Sequence, residues 1–412
     1  MNAGVAKRDI SPPVGANLGA HTRHSSGNHD PLYAKAVVLD DGEHSVAIVC
    51  MDVAATDFVF TDDLRERVKT STGIETTLVN ISHTHSAPFA MANTSMLENP
   101  SAAEEQWLVD VKRSALEAVE EADACKSAAL LYSGRAPAQV GYNRRLQTDD
   151  GIYMDINPEG PVVPWVDILE IRRPDTGTAA VLFEHAAHPV IVHDSSSLTG
   201  GDYPFFACKR VSEKLGPSVL PVFAQGCGAD VNGHPLATGH ENAAIAGRKL
   251  GDAAVQALKD GVLIAADRLS VISRQLSLPC MTVADREYHG TQKGETSEVT
   301  SLRFDFTVVG IGSRWGLVAM SHEVLSEYQL WLDETAPFDR TMVLAYTNAC
   351  QSYIATDEIL LMEDGGYEAG RFLGCWMAVE EDRTRLPLKP GAEKIIKTGI
   401  AAAWREIDAS RF

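Results

Sequence analysis

The chain has 412 residues, 45% of them hydrophobic and 22% charged, which is typical of a folded globular protein rather than a disordered or fibrous one. Its formal net charge of −20 disfavours nucleic acid and anionic membranes as partners, because like charges repel. The amino-terminal segment lacks the apolar core of a secretion signal, and no stretch reaches the roughly 20 apolar residues of a membrane span. The seven cysteines form no Cys-x-x-Cys pair, which favours free thiols in a cytoplasmic protein.

Strands and helices alternate along the first half of the chain. Residues 34–53 are two apolar runs around Asp-Asp-Gly-Glu, a pattern that predicts a hairpin. Residues 61–73 predict a helix with Thr61 or Asp62 as its amino-terminal cap and Gly73 just past its end. The next predicted elements are a strand, an amphipathic helix and a strand, at 75–82, 101–124 and 127–134.

The second half of the chain repeats this alternation. A hairpin is predicted at 166–188, turning on Pro-Asp-Thr-Gly. The remaining predicted elements are helices at 203–216, 240–261 and 323–335, and strands at 218–226, near 302–309, at 315–320 and at 341–348. The alternation predicts an α/β fold with a central mixed sheet flanked by helices. We expect one domain over residues 1–412, with the polar, non-periodic segment near 283–300 as a candidate insertion or boundary.

Histidines and carboxylates follow three of the apolar runs. The segment VNISHTHSAPFA (79–90) contains His83 and His85, EHAAHPVIVH (184–193) contains three more histidines, and SHEVL (321–325) follows a third run. The carboxyl ends of strands line the ligand crevice in open α/β sheets, and residues i and i+2 of a strand share one face. His83 and His85 therefore face one site, as metal ligands, as proton shuttles or as ordinary strand-end residues.

Imidazole and carboxylate together are the ligand set of catalytic zinc, which keeps one position open for water. The sequence has no His-Glu-x-x-His helix, no Gly-x-Ser-x-Gly elbow and no phosphate-binding glycine loop. The common zinc-protease, serine-hydrolase and nucleotide-binding motifs are thus excluded, and a zinc site built from several strand ends is favoured.

Several segments resemble the motifs of neutral (non-lysosomal) ceramidases. SHTHSAP resembles their THTHSGP motif, and EHAAHPVIV resembles their VHPT segment. Further segments resemble other motifs of that family: DPLYAKAVVLDDG, GYNRRL, LTGGDYPFFA, FAQGCGADVNGHP, SHEVLSEYQLWL, YTNACQSYIATDE and GGYEAG. The resemblance covers nearly the whole chain, and it implies the catalytic-domain fold of those enzymes.

The resemblance also implies a zinc ion, held by His83, His188, Glu323 and Tyr353. The family pattern favours His83 over His85 as the ligand, whereas spacing alone does not choose between them. Each residue also has an ordinary interpretation: His188 as a strand-end residue, Glu323 as a first-turn carboxylate favoured by the helix dipole, and Tyr353 as an amphipathic edge residue.

Three further residues are implied to act on the substrate. His85 would lie beside the reacting group as a hydrogen-bond donor or proton shuttle, Arg144 would neighbour the scissile bond, and Tyr367 would approach the substrate carbonyl. Arg144 could equally be an ion-pair partner, since Arg145 competes with it, and Tyr367 could pack in a loop. The histidines at 185 and 193 are expected to be supporting or structural residues.

Asn232 occupies the position at which the family has a serine after Asp-Val. An amide is no nucleophile, so an acyl-enzyme at this position is disfavoured. Asn232 could donate a hydrogen bond to a developing oxyanion or to substrate, although Asn-Gly is also a strong turn signal. We expect no counterpart of the immunoglobulin-like domain that follows the catalytic domain in true ceramidases.

These features favour a zinc-dependent hydrolase that uses metal-bound water on an amide or ester bond. The segments HTRHSSGNHD and VHDSSSLTGGDYP are polar, so a small, polar, non-ceramide substrate is expected. Two alternatives remain: a sugar- or lactone-directed hydrolase, lyase or isomerase on the same metal scaffold, or a non-catalytic metal-binding protein. Homo-oligomerisation is left open.

Overall fold

The computed structural model describes residues 1–19, 23–92, 101–281, 300–362, 365–369, 379–380, 383–384 and 387–409. Seven helices lie in these ranges: α1 (Phe58–Thr72), α2 (Ala102–Ala124), α3 (Asp202–Leu215), α4 (His240–Lys259), α5 (Ser326–Thr335), α6 (Asp357–Leu361) and α7 (Ala392–Ala409). The predicted insertion or boundary near 283–300 lies almost entirely outside the described residues.

The strands used below are β1 (Asn2–Asp9), β2 (Tyr33–Asp40), β3 (Ser45–Met51), β4 (Thr76–Ile81), β5 (Leu130–Pro137), β6 (Gly141–Thr148), β7 (Gly151–Asn157), β8 (Trp165–Arg173), β9 (Gly177–His185), β10 (Leu220–Gln225), β11 (Val231–Gly233), β12 (Val262–Ile264), β13 (Leu269–Pro279), β14 (Ser301–Ile311), β15 (Trp315–Met320), β16 (Glu323–Val324), β17 (Arg340–Leu344) and β18 (Tyr353–Ile354). Other described strands have two residues each, at Asn17–Leu18, Arg23–His24, Gly27–Asn28, Ser127–Ala128, Leu198–Thr199, Val379–Glu380 and Arg383–Thr384.

The predicted mixed α/β architecture is confirmed, and its strands are divided among several sheets. The three largest have the orders β4-β3-β2-β1 with the short strand at Ser127–Ala128, β10-β9-β8-β5-β12, and β13-β14-β15-β17. Each has mostly antiparallel neighbours and one parallel pair, which is β3–β4, β9–β10 or β15–β17. A parallel pair places two carboxyl ends at one edge, which is where ligands bind in α/β folds.

Asn80 joins the three parallel pairs. This fully buried residue of β4 accepts a hydrogen bond from the backbone of Gln225 in β10, and it donates to the carbonyl of Ala345 just after β17. An apolar core is shared by the same three sheets and includes Ile48, Leu182 and Leu317. The carboxyl ends of β4, β9 and β15 are thereby held close to one another.

Most predicted elements are present, and the predictions differ from the structure mainly in where an element begins or ends. Helix α1 begins at Phe58 and is capped by Asp57, whose carboxylate accepts from the backbone of Phe60 at 2.7 Å, so the predicted caps Thr61 and Asp62 are wrong. Gly73 ends α1 with φ +78°, as predicted. The predicted helix 323–335 starts only at Ser326, because its first residues form β16.

The cysteines are free thiols as far as the structure describes them, and five of the six described ones are buried. Cys375 lies outside the described residues. No helix in the described part of the chain combines the length and apolar character that crossing a bilayer requires.

Candidate metal centre

Three strand ends deliver two imidazoles and a carboxylate to one buried point. His83 follows β4, His188 follows β9, and Glu323 follows β15; all three side chains are essentially inaccessible to solvent. The Nε2 atom of His188 lies 3.0 Å from Oε2 of Glu323, and the Nε2 atom of His83 lies 3.5 Å from the same oxygen. The side chains that the sequence predicts as ligands therefore converge, although they lie up to 240 residues apart, between 83 and 323.

Backbone carbonyls fix the orientation of both imidazoles. Nδ1 of His83 is 2.5 Å from the carbonyl oxygen of Ala54, and Nδ1 of His188 is 2.6 Å from that of Gly228. A carbonyl oxygen only accepts, so each Nδ1 carries a proton and each ring turns its Nε2 toward Glu323. This arrangement is typical of metal-binding histidines.

The electrostatics favour a cation among these atoms. Burial would raise the pKa of Glu323, but the neighbouring His83 and His188 outweigh it and hold that pKa well below its usual range, so the group is a carboxylate. Burial and Arg144 lower the pKa of His188 to about 4, so this ring is neutral. Oε1 of Glu323 is buried without a hydrogen-bond partner among the described residues. A buried carboxylate oxygen without a donor is costly unless a cation lies beside it.

The backbone is strained at this centre. His83, His322 and Tyr346 are non-glycine residues with φ of +61°, +72° and +51°, in the left-handed region that such side chains rarely adopt. Strain of this kind costs about 1–3 kcal/mol per residue and persists where the surrounding structure enforces it, most often at functional sites. The φ of His322 turns the chain at Glu323, and the ring of Tyr346 lies 4.8 Å from that of His83.

His85 lies beside the ligand set and remains a candidate ligand by distance. Its Nε2 is 3.3 Å from Nε2 of His83, and the candidate ligand atoms of His83, His85 and His188 all lie within 4.8 Å of one another. Burial, together with His83 and His188, lowers the pKa of His85 well below its usual value, so its ring is neutral. Its Nδ1 is buried without a partner. A neutral imidazole in this position can accept a proton.

Tyr353 and Arg144 complete one side of the centre. Tyr353 in β18 is the register partner of Glu323 in the parallel β16–β18 pair, so the two side chains share one face. Arg144 of β6 is buried and donates from Nη2 to the phenol oxygen of Tyr353 at 3.1 Å. It also donates from Nη1 to Oδ1 of Asn232 at 3.1 Å. The guanidinium thus links a candidate ligand to Asn232.

Asn232 lies in β11 rather than in the tight turn that its Asn-Gly sequence also allows. Its backbone bridges that of His188. Because a guanidinium only donates, the bond from Arg144 fixes the amide oxygen of Asn232 and leaves its NH₂ group as the outward donor. The side chain can therefore offer a hydrogen bond to an oxygen beside the centre.

Glu368 clamps both candidate arginines and was not predicted from the sequence. Arg144 donates from Nε to one carboxylate oxygen of Glu368 at 2.8 Å, and Arg145 donates from Nη1 to the other at 2.6 Å. Arg145 also donates to the carbonyl of Gly365, and the structure shows no hydrogen bond from its side chain to Tyr353 or Asn232. Arg144 is thus the arginine at the centre, and Arg145 anchors the 365–369 loop. The position of Glu368 directly after Tyr367 in GGYEAG was a usable signal.

Tyr367 comes from the same loop and packs at the edge of the centre. The ring centroid of Tyr367 is 5.4 Å from that of Tyr353. The guanidinium carbon of Arg144 is 5.5 Å from the Tyr367 centroid. A groove of about 280 Å³ begins at Arg144 and Asn232. Its outer walls are apolar and partly exposed, at Tyr142, Met154, Ile156 and Leu236.

Described residues of the polar segments noted in the sequence contact the backbone beside the centre. Arg23 donates to the carbonyl oxygens of His85 at 3.0 Å and His193 at 2.7 Å, and the hydroxyls of Ser26 and Ser197 lie 2.7 Å apart. The ring of His193 lies 5.2 Å from that of His85. Residues 21 and 22 of this segment lie outside the described residues.

Two other residues near the centre differ in how well the sequence anticipated them. His185 is buried with its Nδ1 2.8 Å from the carbonyl oxygen of Trp165, outside the cluster, which agrees with its expected structural role. Cys350 was not predicted as a site residue, yet it forms a second possible donor set with His83 and Glu323, within 4.8 Å. Its sulfur is 3.8 Å from Nδ1 of His83, whereas Glu323 lies on the Nε2 side of that ring.

Comparison with known proteins establishes the fold. No protein-family model and no curated relative matches the sequence. The neutral ceramidase from Pseudomonas aeruginosa superposes with a TM-score of 0.74 at 15% sequence identity, covering 98% of this chain and 74% of that one. A structure described as ceramidase complexed with C2 gives a TM-score of 0.73 at 15% identity, covering 98% of this chain and 73% of the other.

The fold and centre together define an α/β protein with a histidine–carboxylate cluster at the meeting point of three sheets. More specifically, the chain has the fold of the neutral ceramidases, so the resemblance that the motifs indicate is confirmed at the level of fold. At 15% identity the likeness carries the fold alone, and activity and substrate are inferred from the residues of this chain.

Proposed function

We propose that this protein is a zinc-dependent hydrolase that cleaves an amide or ester bond of a small, non-ceramide substrate. The observation that carries the proposal is the convergence of Nε2 of His83, Nε2 of His188 and the carboxylate of Glu323, all buried, with Oε1 of Glu323 left without a hydrogen-bond partner among the described residues. Two imidazoles and a carboxylate are a ligand set of catalytic zinc.

His83, His188 and Glu323 would hold the ion, and Tyr353 would complete the set from the same face as Glu323. Zinc supplies Lewis-acid chemistry and lowers the pKa of a coordinated water from 15.7 to about 7. Cys350 lies on the Nδ1 side of His83 and is the less suitable donor, because that nitrogen already bonds to Ala54.

The other residues would bind and orient the substrate and move protons. Asn232 would donate its amide N–H to the substrate carbonyl oxygen, held in place by Arg144, and Tyr367 would approach the same oxygen. His85, neutral and half-buried beside His83, would accept a proton from water and return it to the leaving group. Asn232 needs no nucleophilic oxygen in this scheme, which explains why a serine is dispensable there.

Two surfaces beside the centre suggest how a substrate would lie. The side with Ser26 and Ser197 is hydroxyl-rich and would take a polar group. The groove beyond Arg144 has apolar walls and would take an uncharged substituent. The polar substrate expected from the sequence segments therefore applies to one side of the centre.

Zinc analysis of matched variants tests the ligand assignment. We expect wild-type protein expressed with zinc to contain about one equivalent, and His188→Ala to lose it together with activity on N-acyl and acyl-ester reporters. His185→Ala is the control, because His185 is equally buried and also bonds through Nδ1 to a carbonyl, yet lies outside the cluster. Cys350→Ser separates the two donor sets and should retain zinc.

Two outcomes would contradict the proposal in different ways. Wild-type protein without zinc, or equal zinc in His188→Ala and His185→Ala, would refute the metal site. Bound zinc without turnover of any amide or ester reporter would refute the hydrolase assignment and favour a sugar- or lactone-directed reaction on the same scaffold.

A further inference from the structure

Lys35 is a buried lysine that points at a cysteine. It lies in β2, is only 8% exposed, and donates from Nζ to the sulfur of Cys208 at 3.3 Å. Cys208 lies in α3, which packs against α4 and β10, and is 7% exposed. The contact is remote in sequence, since 173 residues separate the two side chains, and it is not part of the metal centre.

The surroundings of Lys35 do not provide an ordinary ion pair. Within the residues that the structure describes, no carboxylate lies within 4.0 Å of its Nζ, and the carboxylate of Asp52 acts on it only from a greater distance. A thiol is a weak acceptor, and an ammonium group is costly to bury without a strong one. Cys50 is the cross-strand register partner of Lys35 in β3, so a second thiol flanks the amine. The chain thus places an amine between two thiols in a closed interior.

We propose that Lys35 and Cys208 are a redox-sensitive cross-link site at which dioxygen joins the amine nitrogen and the sulfur through one bridging oxygen. The ammonium group of Lys35 first releases one proton to solvent. One N–H bond of the resulting amine, the S–H bond and the O–O bond then break, and one N–O bond and one O–S bond form. The amine and thiol together lose four electrons to dioxygen, whose second oxygen leaves as water with the two released hydrogens. Two equivalents of a dithiol reverse the reaction by returning four electrons, which regenerates lysine and cysteine and releases the bridging oxygen as water.

The bridge would tie α3 to the first sheet. Helix α3 begins at Asp202, whose carboxylate accepts from the backbone of Val192 at 2.8 Å and so holds the segment that follows His188. A covalent link across a long loop restricts the unfolded chain, so the oxidised protein should melt at a higher temperature than the reduced one. This inference is independent of the proposed hydrolase function.

Peptide mass analysis of wild-type protein tests the proposal directly. Purified protein is kept for days in dioxygen-saturated buffer, because burial raises the pKa of the Cys208 thiol and makes the reactive thiolate scarce. We expect a peptide pair joined at Lys35 and Cys208, heavier than the sum of its parts by one oxygen less two hydrogens. Trypsin should fail to cut after Lys35 in the linked form. Isotopically heavy dioxygen should label the bridge, and dithiothreitol should remove it.

Variants of the three residues supply the controls. Lys35→Met and Cys208→Ser should each abolish the linked pair and its higher melting temperature, whereas Cys50→Ser should retain both. If the buried substitutions prevent folding, the heavy-oxygen experiment on wild-type protein decides alone. Unlinked peptides after prolonged exposure, a disulfide between Cys50 and Cys208 without added oxygen, or a bridge that survives in Lys35→Met would overturn the proposal.

Discussion

Glu368→Gln removes a buried negative charge that two arginines share. The residue is 4% exposed, and its two oxygens accept from Arg144 at 2.8 Å and from Arg145 at 2.6 Å. Loss of one partner of a buried ion pair costs about 3–5 kcal/mol, because the opposite charge stays buried. Glutamine keeps one acceptor oxygen, so one arginine retains a neutral hydrogen bond. We expect the free energy of unfolding to fall by about 3 kcal/mol, at the lower end of that range.

Activity and metal binding should respond differently to this change. Arg144 is also bonded to Tyr353 and Asn232, so a loosened guanidinium should lower kcat on acyl reporters. Zinc content should be unchanged, because Glu368 has no hydrogen bond or ion pair to the histidines among the described residues. Urea denaturation followed by circular dichroism gives the stability, and metal analysis gives the zinc content.

Glu170→Gln is the matched control. Glu170 is 1% exposed and binds Arg172 through both oxygens at 3.0 and 2.8 Å, far from the centre in β8. The Glu170→Gln variant should lose stability without losing kcat.

The arginines hold the pKa of Glu368 below its usual value despite burial, so this carboxylate stabilises the fold above its unfolded pKa. The difference between wild type and Glu368→Gln should therefore shrink as the pH falls through the acid range. Unchanged stability and kcat in Glu368→Gln would refute this reasoning.

Three further predictions concern the donor, a titrating carboxyl and a helix cap. Asn232→Ala should lower kcat by about 100-fold while zinc stays bound, as expected on loss of an oxyanion donor; equal kcat values would exclude that role. Burial raises the pKa of Asp30 from 3.8 to about 8, so the folded state holds the proton more tightly and wild-type stability should fall as the pH rises through that interval. Asp30→Asn should lack this fall in thermal melts from acid to mildly alkaline pH, and parallel curves for the two proteins would contradict it. Asp57→Ala removes the cap of α1 and should cost about 1 kcal/mol in urea denaturation, whereas Thr61→Ser, at the wrongly predicted cap, should cost less.

Local patterns predicted the elements well because their causes are local. The hairpin at 34–53 and the helix α2 follow from turn residues and apolar spacing within a short window. The cap of α1 was misplaced because Phe58 and Phe60 are buried by tertiary packing, which extends the helix beyond the polar residues that suggested Thr61. Residues 323–325 were assigned to a helix because their pairing partner, β18, is distant in sequence.

The candidate site was predicted only in part. Motif resemblance selected His83, His188 and Glu323, and the structure brings their ligand atoms together, while their role as zinc ligands stays a prediction. The choice of Arg144 over Arg145 needed the structure, because adjacent residues differ only in which neighbours they meet. Glu368 was missed because the arginines it binds lie more than 200 residues away, and its place beside Tyr367 in GGYEAG was the one local signal.

The sequence by itself determined the alternation of strands and helices, the placement of imidazoles and carboxylates after apolar runs, and the family that the chain resembles. The tertiary structure alone decided that three sheets meet at Asn80, which imidazole nitrogen faces Glu323, and that Lys35 lies against Cys208. The reason is physical: hydrophobic period and turn chemistry act between near neighbours, whereas a site gathered from three strand ends depends on long-range packing that fixes each side chain to within a hydrogen-bond length.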